Sequence, residues 1–205
     1  MENLSAIKEK INEMAALVVS MLEATFKGFM KHDIKILTRV LKDEDALNKT
    51  EEALTASLVN LSKGATSDTE RENIARLSDI VTDLEEIGDY IKDMVERIEI
   101  KIEEKLLFSE EALDEYKHVY RVIETALYDI VNSLKLNDKN FAQRILSDEG
   151  HVDRLAQEYR QAHTERLIAG KCDPRAGNMF VDLLDFAAQI SHHAISAAKS
   201  ILKLK

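Results

Sequence analysis

Asp83-Leu84-Glu85-Glu86-Ile87-Gly88-Asp89 lies at the centre of the longest helical pattern in the chain, Arg71 to Glu104. Apolar residues recur around it at three- and four-residue intervals: Ile74, Leu77, Val81 and Leu84 before Gly88, and Ile91, Val95, Ile98 and Ile102 after it. That period marks a helix with one face buried against other helices. At about 100° per residue, Glu85 and Asp89 lie roughly 60–100° from Gly88, so a carboxylate pair borders the buried seam while Glu86 and Asp93 turn away. Gly88 within the seam costs about 1 kcal/mol of helix propensity relative to Ala, which is compensated where another helix or a ligand closes on bare backbone.

Outward from this stretch the same period continues in both directions. Ser67-Asp68-Thr69-Glu70 has the form of a capping box and starts the central helix. Before it, Ile7, Ile11, Met14, Val18, Leu22, Phe26 and Phe29 trace a first helix ending near Lys31-His32. Asp33 caps a second, which runs through Leu37, Val40, Leu47, Leu54 and Leu58 to Gly64, placed as a left-handed C-terminal residue. After it, Ser109 opens a fourth helix through Tyr116, Val119, Ile123, Leu127 and Ile130 that Asn137-Asp138 breaks. Phe141, Ile145, Val152, Leu155, Tyr159 and Leu167 mark a fifth, and Asp173-Pro174 starts a sixth that continues to Leu202. Six long helices with short turns predict an all-α fold.

Bulk properties agree. The chain has 205 residues, 32% of them charged and 5% aromatic, with one Pro and no Trp, as long solvated helices require. A formal charge of −10 without a basic block disfavours nucleic acid. One cysteine, Cys172, excludes an internal disulfide and points to a reducing, cytoplasmic setting; its simplest reading is an incidental thiol beside a loop. Met1-Glu2-Asn3-Leu4 does not begin a secretory leader, and Asp182, Asp185, His192 and His193 make the last helix too polar to span a membrane.

The halves resemble each other. Residues 33–44 (DIKILTRVLKDE) lie without a gap on residues 138–149 (DKNFAQRILSDE), sharing Asp, Arg, Leu, Asp and Glu. Carried forward, Gly64 falls beside Gly170 and Ile87 near Ile190. The expected organisation is two tandem antiparallel three-helix bundles, residues 1–107 and 108–205.

Residues 83–89 resemble the Asp-Leu-Glu-Arg-Ile-Gly-Asp signature of the PhoU family, and Glu149-Gly150-His151-Val152-Asp153-Arg154-Leu155 resembles that family's second-helix pattern. The resemblance implies a pair of three-helix bundles and a non-enzymatic regulator of phosphate transport and homeostasis acting through protein partners, a phosphate transporter or a sensor kinase. A homodimer is a further expectation. Any membrane association would come through a partner or through a transmembrane part outside these residues. Some family members hold metal clusters on acidic pairs of neighbouring helices.

The departures are specific. Glu86 stands where the signature has Arg, and Tyr90 where His often follows. The second copy of the signature falls on Phe186 to His193, with Ala188 and His192 in place of the acidic pair. The second-helix motif is Glu44-x-x-x-Asn48 in the first copy and Glu149-x-x-x-Asp153 in the second. Such a degenerate second signature is more similar to the PhoU-like domains of sodium/phosphate cotransporters, which makes a cytoplasmic regulatory domain of a cotransporter the alternative role.

Two candidate metal sites follow. Glu85 and Asp89, one turn apart, with Glu44 nearby, offer oxygen ligands to a divalent or iron-type metal; otherwise they are surface acids paired with basic neighbours. Glu149, Asp153 and His192 form the second set, where imidazole favours Zn²⁺ or another transition metal. Asp43-Glu44-Asp45 is most simply a solvated face, and the Glu115-x-x-His118 spacing a coincidence, since di-iron bundles need a second such motif. A metal-dependent helical-bundle enzyme is the alternative from another class; it requires facing carboxylate and histidine sets that the missing acids do not supply.

Overall fold

A computed structural model describes residues 4–205; Met1, Glu2 and Asn3, part of the stretch read for a leader, lie outside the described residues. All secondary structure among the described residues is helical: α1 (Leu4–Lys31), α2 (Ile34–Gly64), α3 (Asp68–Glu103), α4 (Glu110–Leu136), α5 (Lys139–Ser147), α6 (His151–Ile168) and α7 (Pro174–Lys203).

Local chemistry sets the ends. The Asp33 carboxylate accepts from the amide of Lys35 at 2.9 Å. Ser67 and Glu70 close a reciprocal capping box at the start of α3. The Ser109 hydroxyl accepts from the Ala112 amide, and Asp173 caps α7 with Pro174 in its first turn. At 36 residues α3 is the longest rod, about 54 Å at 1.5 Å per residue.

Two local expectations are corrected. Gly64 is the last residue of α2, and the turn that follows is capped by Ala65 in extended conformation, so no left-handed glycine is used there. The expected fifth helix is two, α5 and α6, because Gly150 adopts φ 76° between them. The apolar spacing continues across this break, so periodicity alone does not reveal it.

Helices α1, α2 and α3 pack on one another, α4 and α7 pack on each other and on both α5 and α6, and the two sets meet along α3 against α7 and α1 against α4. Both joints run antiparallel. Along α3 and α7, Arg97 pairs with Asp182 at 3.0 Å, the Tyr90 and Phe186 rings lie 6.4 Å apart, Asp83 pairs with His193 at 3.0 Å, and Asn73 bonds Lys205. Numbers fall on α3 as they rise on α7. Along α1 and α4 the same holds: Phe29 meets the Tyr116 ring, Phe26 stacks on Tyr120 at 3.8 Å, and Glu23 accepts a hydrogen bond from Tyr128. This register sets Ile87 level with Ile190, both fully buried, at the middle of the α3·α7 joint. One continuous apolar cluster then spans both sets of helices.

Candidate functional site

The candidate site lies where α2 crosses α3, and Gly88 creates it. A Cβ built on Gly88 would lie 2.1 Å from Leu47 Cδ2, so the two helices approach across bare backbone. Leu47 is followed by Asn48 and preceded, one turn back, by Glu44; Asn48 bonds Glu44, and Glu44 meets Lys92 and Asp89 of α3.

Glu44 is 2% exposed. This overturns its reading as part of a solvated face. A carboxylate so deeply buried must be compensated, and two donors meet one of its oxygens: Lys92 Nζ at 2.9 Å and Asn48 Nδ2 at 2.8 Å reach Oε1. Burial would raise the pKa of Glu44, but the hydrogen bonds from Lys92, Asn48 and Asp89 outweigh it and hold it below the ordinary carboxylate range. Asp89 moves the other way, raised by burial and by its bond to the Glu44 charge. Glu85 is raised too, by burial and then by the like charges of Asp89, Glu86, Glu51 and Glu44. The three first-repeat residues, Glu44, Glu85 and Asp89, are thus neighbours at one seam, with Lys92 among them. Sequence reading passed over Lys92, although its position three residues after Asp89 places it on the same helical face.

In the second repeat Lys199 Nζ meets Glu149 at 2.8 Å, and His192 Nε2 lies 3.0 and 3.1 Å from the two oxygens of Asp153. All four side chains are about half exposed. Among the described residues no three His, Cys, Asp or Glu side chains gather into a group that could hold a metal ion.

Four further polar contacts complete the picture. Asp83, buried on α3, bonds His193 Nδ1 across the joint to α7 at 3.0 Å. Asp83 lies one turn before Ile87 on the buried face, which was the available signal. Glu115 receives a fork of two bonds from Arg166, at 2.8 and 2.6 Å, and His118 Nδ1 lies 2.6 Å from the Tyr159 hydroxyl, so the Glu-x-x-His spacing serves two separate contacts. Cys172 Sγ lies 3.8 Å from Nδ1 of the buried His163.

The family model described as PhoU domain matches residues 11–98. No curated protein matches the sequence. Among solved structures, PhoU from Pseudomonas aeruginosa is 20% identical, with 98% of this chain and 96% of that chain covered and a TM-score of 0.90. The phosphate transport system regulatory protein PhoU from Streptococcus pneumoniae is 11% identical over 98% and 94% of the two chains, with a TM-score of 0.86. A PhoU-like protein from Shewanella oneidensis MR-1 is 16% identical over 98% and 95%, with a TM-score of 0.58. No described helix is long and apolar enough to cross a membrane. Residues 11–98 thus match the PhoU domain model, and the chain as a whole has the fold of the PhoU structures.

Proposed function

We propose that this chain is a non-enzymatic regulator of phosphate transport that works by binding a protein partner, a phosphate transporter or the sensor kinase that controls one. The observation that carries the reading is the agreement of the whole fold with PhoU regulators, at a TM-score of 0.90 across 98% of the chain. The candidate site supports a mechanical role. Its carboxylates are engaged in fixing the spacing of α2 and α3, and a fixed spacing gives a partner a surface of constant shape. The experiment is deletion of the gene in its own organism, with uptake of radiolabelled phosphate measured in phosphate-rich medium. Uptake loses its restraint in the deletion strain and regains it when the gene is returned. Unchanged uptake together with unchanged transporter expression refutes the role.

A second reading, the cytoplasmic regulatory domain of a sodium/phosphate cotransporter, is favoured by the second signature, where Ala188 and His192 replace the acidic pair. A membrane segment encoded in the same reading frame decides in its favour.

A further inference from the structure

We propose that Lys92 is a built-in cation at the α2·α3 seam: its ammonium takes the place that the resemblance assigns to a metal ion, so this chain fixes its helix spacing with its own side chains. The residues present do not fit a bound metal. Glu44, the most buried acid of the set, already commits one oxygen to Lys92 and Asn48. An ammonium 2.9 Å from the Glu44 carboxylate repels a hard cation that would share it.

Three observations converge on the substitution. The Lys92 side chain reaches from the half-exposed edge of α3 to a carboxylate that is 2% exposed, the geometry by which a long aliphatic stem delivers charge to a buried partner. Asn48 replaces the second acid of the helix-two pair with a neutral amide whose Nδ2 donates to Glu44 at 2.8 Å, while its Oδ1 is buried without a hydrogen-bond partner. The second repeat does the same with different residues. Lys199 neutralises Glu149, the repeat equivalent of Glu44, and His192 faces Asp153. Each acid of the helix-two motif is therefore met by a basic or amide group of this chain, and the same outcome arises independently in the two halves.

The test compares the full-length protein with Lys92→Gln, Lys92→Arg, Glu44→Gln and the double variant Lys92→Gln/Glu44→Gln, each in chelator and in excess Mn²⁺ or Zn²⁺. Melting temperature and metal retained after gel filtration are both read. The wild type and Lys92→Arg retain no metal and melt at the same temperature in both conditions. Lys92→Gln melts lower in chelator and regains about 5 °C with metal at a hundredfold excess over its Kd; the double variant shows no response. Metal retained by the wild type and lost in Glu44→Gln overturns the proposal. So does a Lys92→Gln protein that folds and ignores metal. If Lys92→Gln does not fold in chelator, recovery of the folded state with metal supports the proposal. If metal recovers nothing, the wild type decides, since Mn²⁺ retention that depends on Glu44 contradicts a built-in cation and indifference to metal upholds it.

Discussion

Replacing Gly88 by Ala tests whether α2 and α3 touch as tightly as the site requires. The new Cβ would lie 2.1 Å from Leu47 Cδ2, whereas carbon atoms pack at about 3.5–4.0 Å. Leu47 must retreat by about 1.5 Å to restore that contact. It is fully buried, with the Met21 methyl 3.8 Å from the same point, so it has little free volume to enter. Overpacking of this kind costs about 1–3 kcal/mol, and the better helix propensity of Ala returns about 1 kcal/mol. The net expectation is a loss of about 0–2 kcal/mol. Gly64 provides the control. It is helical, does not use positive φ, and a Cβ there meets nothing within 4 Å, so Gly64→Ala should stabilise by about 0.4–1 kcal/mol. Subtracting one variant from the other largely cancels the backbone term and leaves the overpacking, about 1–3 kcal/mol. Urea denaturation at neutral pH followed by circular dichroism gives both values. Equal stabilities for the two variants would refute the close approach and with it the placement of Glu44 against Lys92.

Other outcomes follow from individual contacts. Arg166→Met strands the Glu115 carboxylate, whose side chain is 15% exposed, and should cost about 3–5 kcal/mol in urea denaturation, while Glu115→Leu/Arg166→Met recovers most of it; equal losses in the single and double variants contradict this. Lys101 is 4% exposed and its Nζ lies 4.9 and 5.2 Å from the Phe29 and Phe108 ring centroids, and burial lowers its pKa. Because the unfolded chain then holds that proton more firmly, stability rises with pH from the lowered value to the ordinary 10.5; the melting temperature of the wild type relative to Lys101→Met should climb over that interval, and a flat difference contradicts the burial penalty. His193→Ala removes the partner of the buried Asp83 and should cost about 1–3 kcal/mol, most of which Asp83→Asn in the same chain returns; additive losses would show that the pair is not coupled.

Periodicity made the helices legible because each buries one stripe, and cap chemistry made most of their ends legible because Asp33, Ser67, Ser109 and Asp173 act on amides two or three residues away. Gly88 was readable for the same reason, as a costly residue that needed a neighbour. The break at Gly150 was not, since a single left-handed residue can interrupt a helix without disturbing the spacing of apolar residues around it. The partners of the acids were also hidden. Glu44 and Lys92 are 48 positions apart, and Asp83 and His193 are 110 apart, so no local pattern couples them. Ranking Glu44 with the solvated Asp43-Glu44-Asp45 run failed because charge composition describes a segment, whereas burial is decided by which face of α2 meets α3.

The two buried charge contacts of α3 occupy opposite sides of the same rod. Asp83 and Lys92 are nine residues apart, which at about 100° per residue turns one about 180° from the other: Lys92 reaches α2 and Asp83 reaches α7. Helix α2 packs only on α1 and α3, and the halves meet only through α1 with α4 and α3 with α7 among the helix pairs of the described residues. A change in α2 spacing can therefore reach the second half only by moving α1 or α3, and α3 forms the broader of the two joints. Close-packed seams of this kind move as units instead of deforming gradually. Whatever fixes Glu44 against α3 therefore bears on the joint between the two halves through α3, the helix that packs on both α2 and α7.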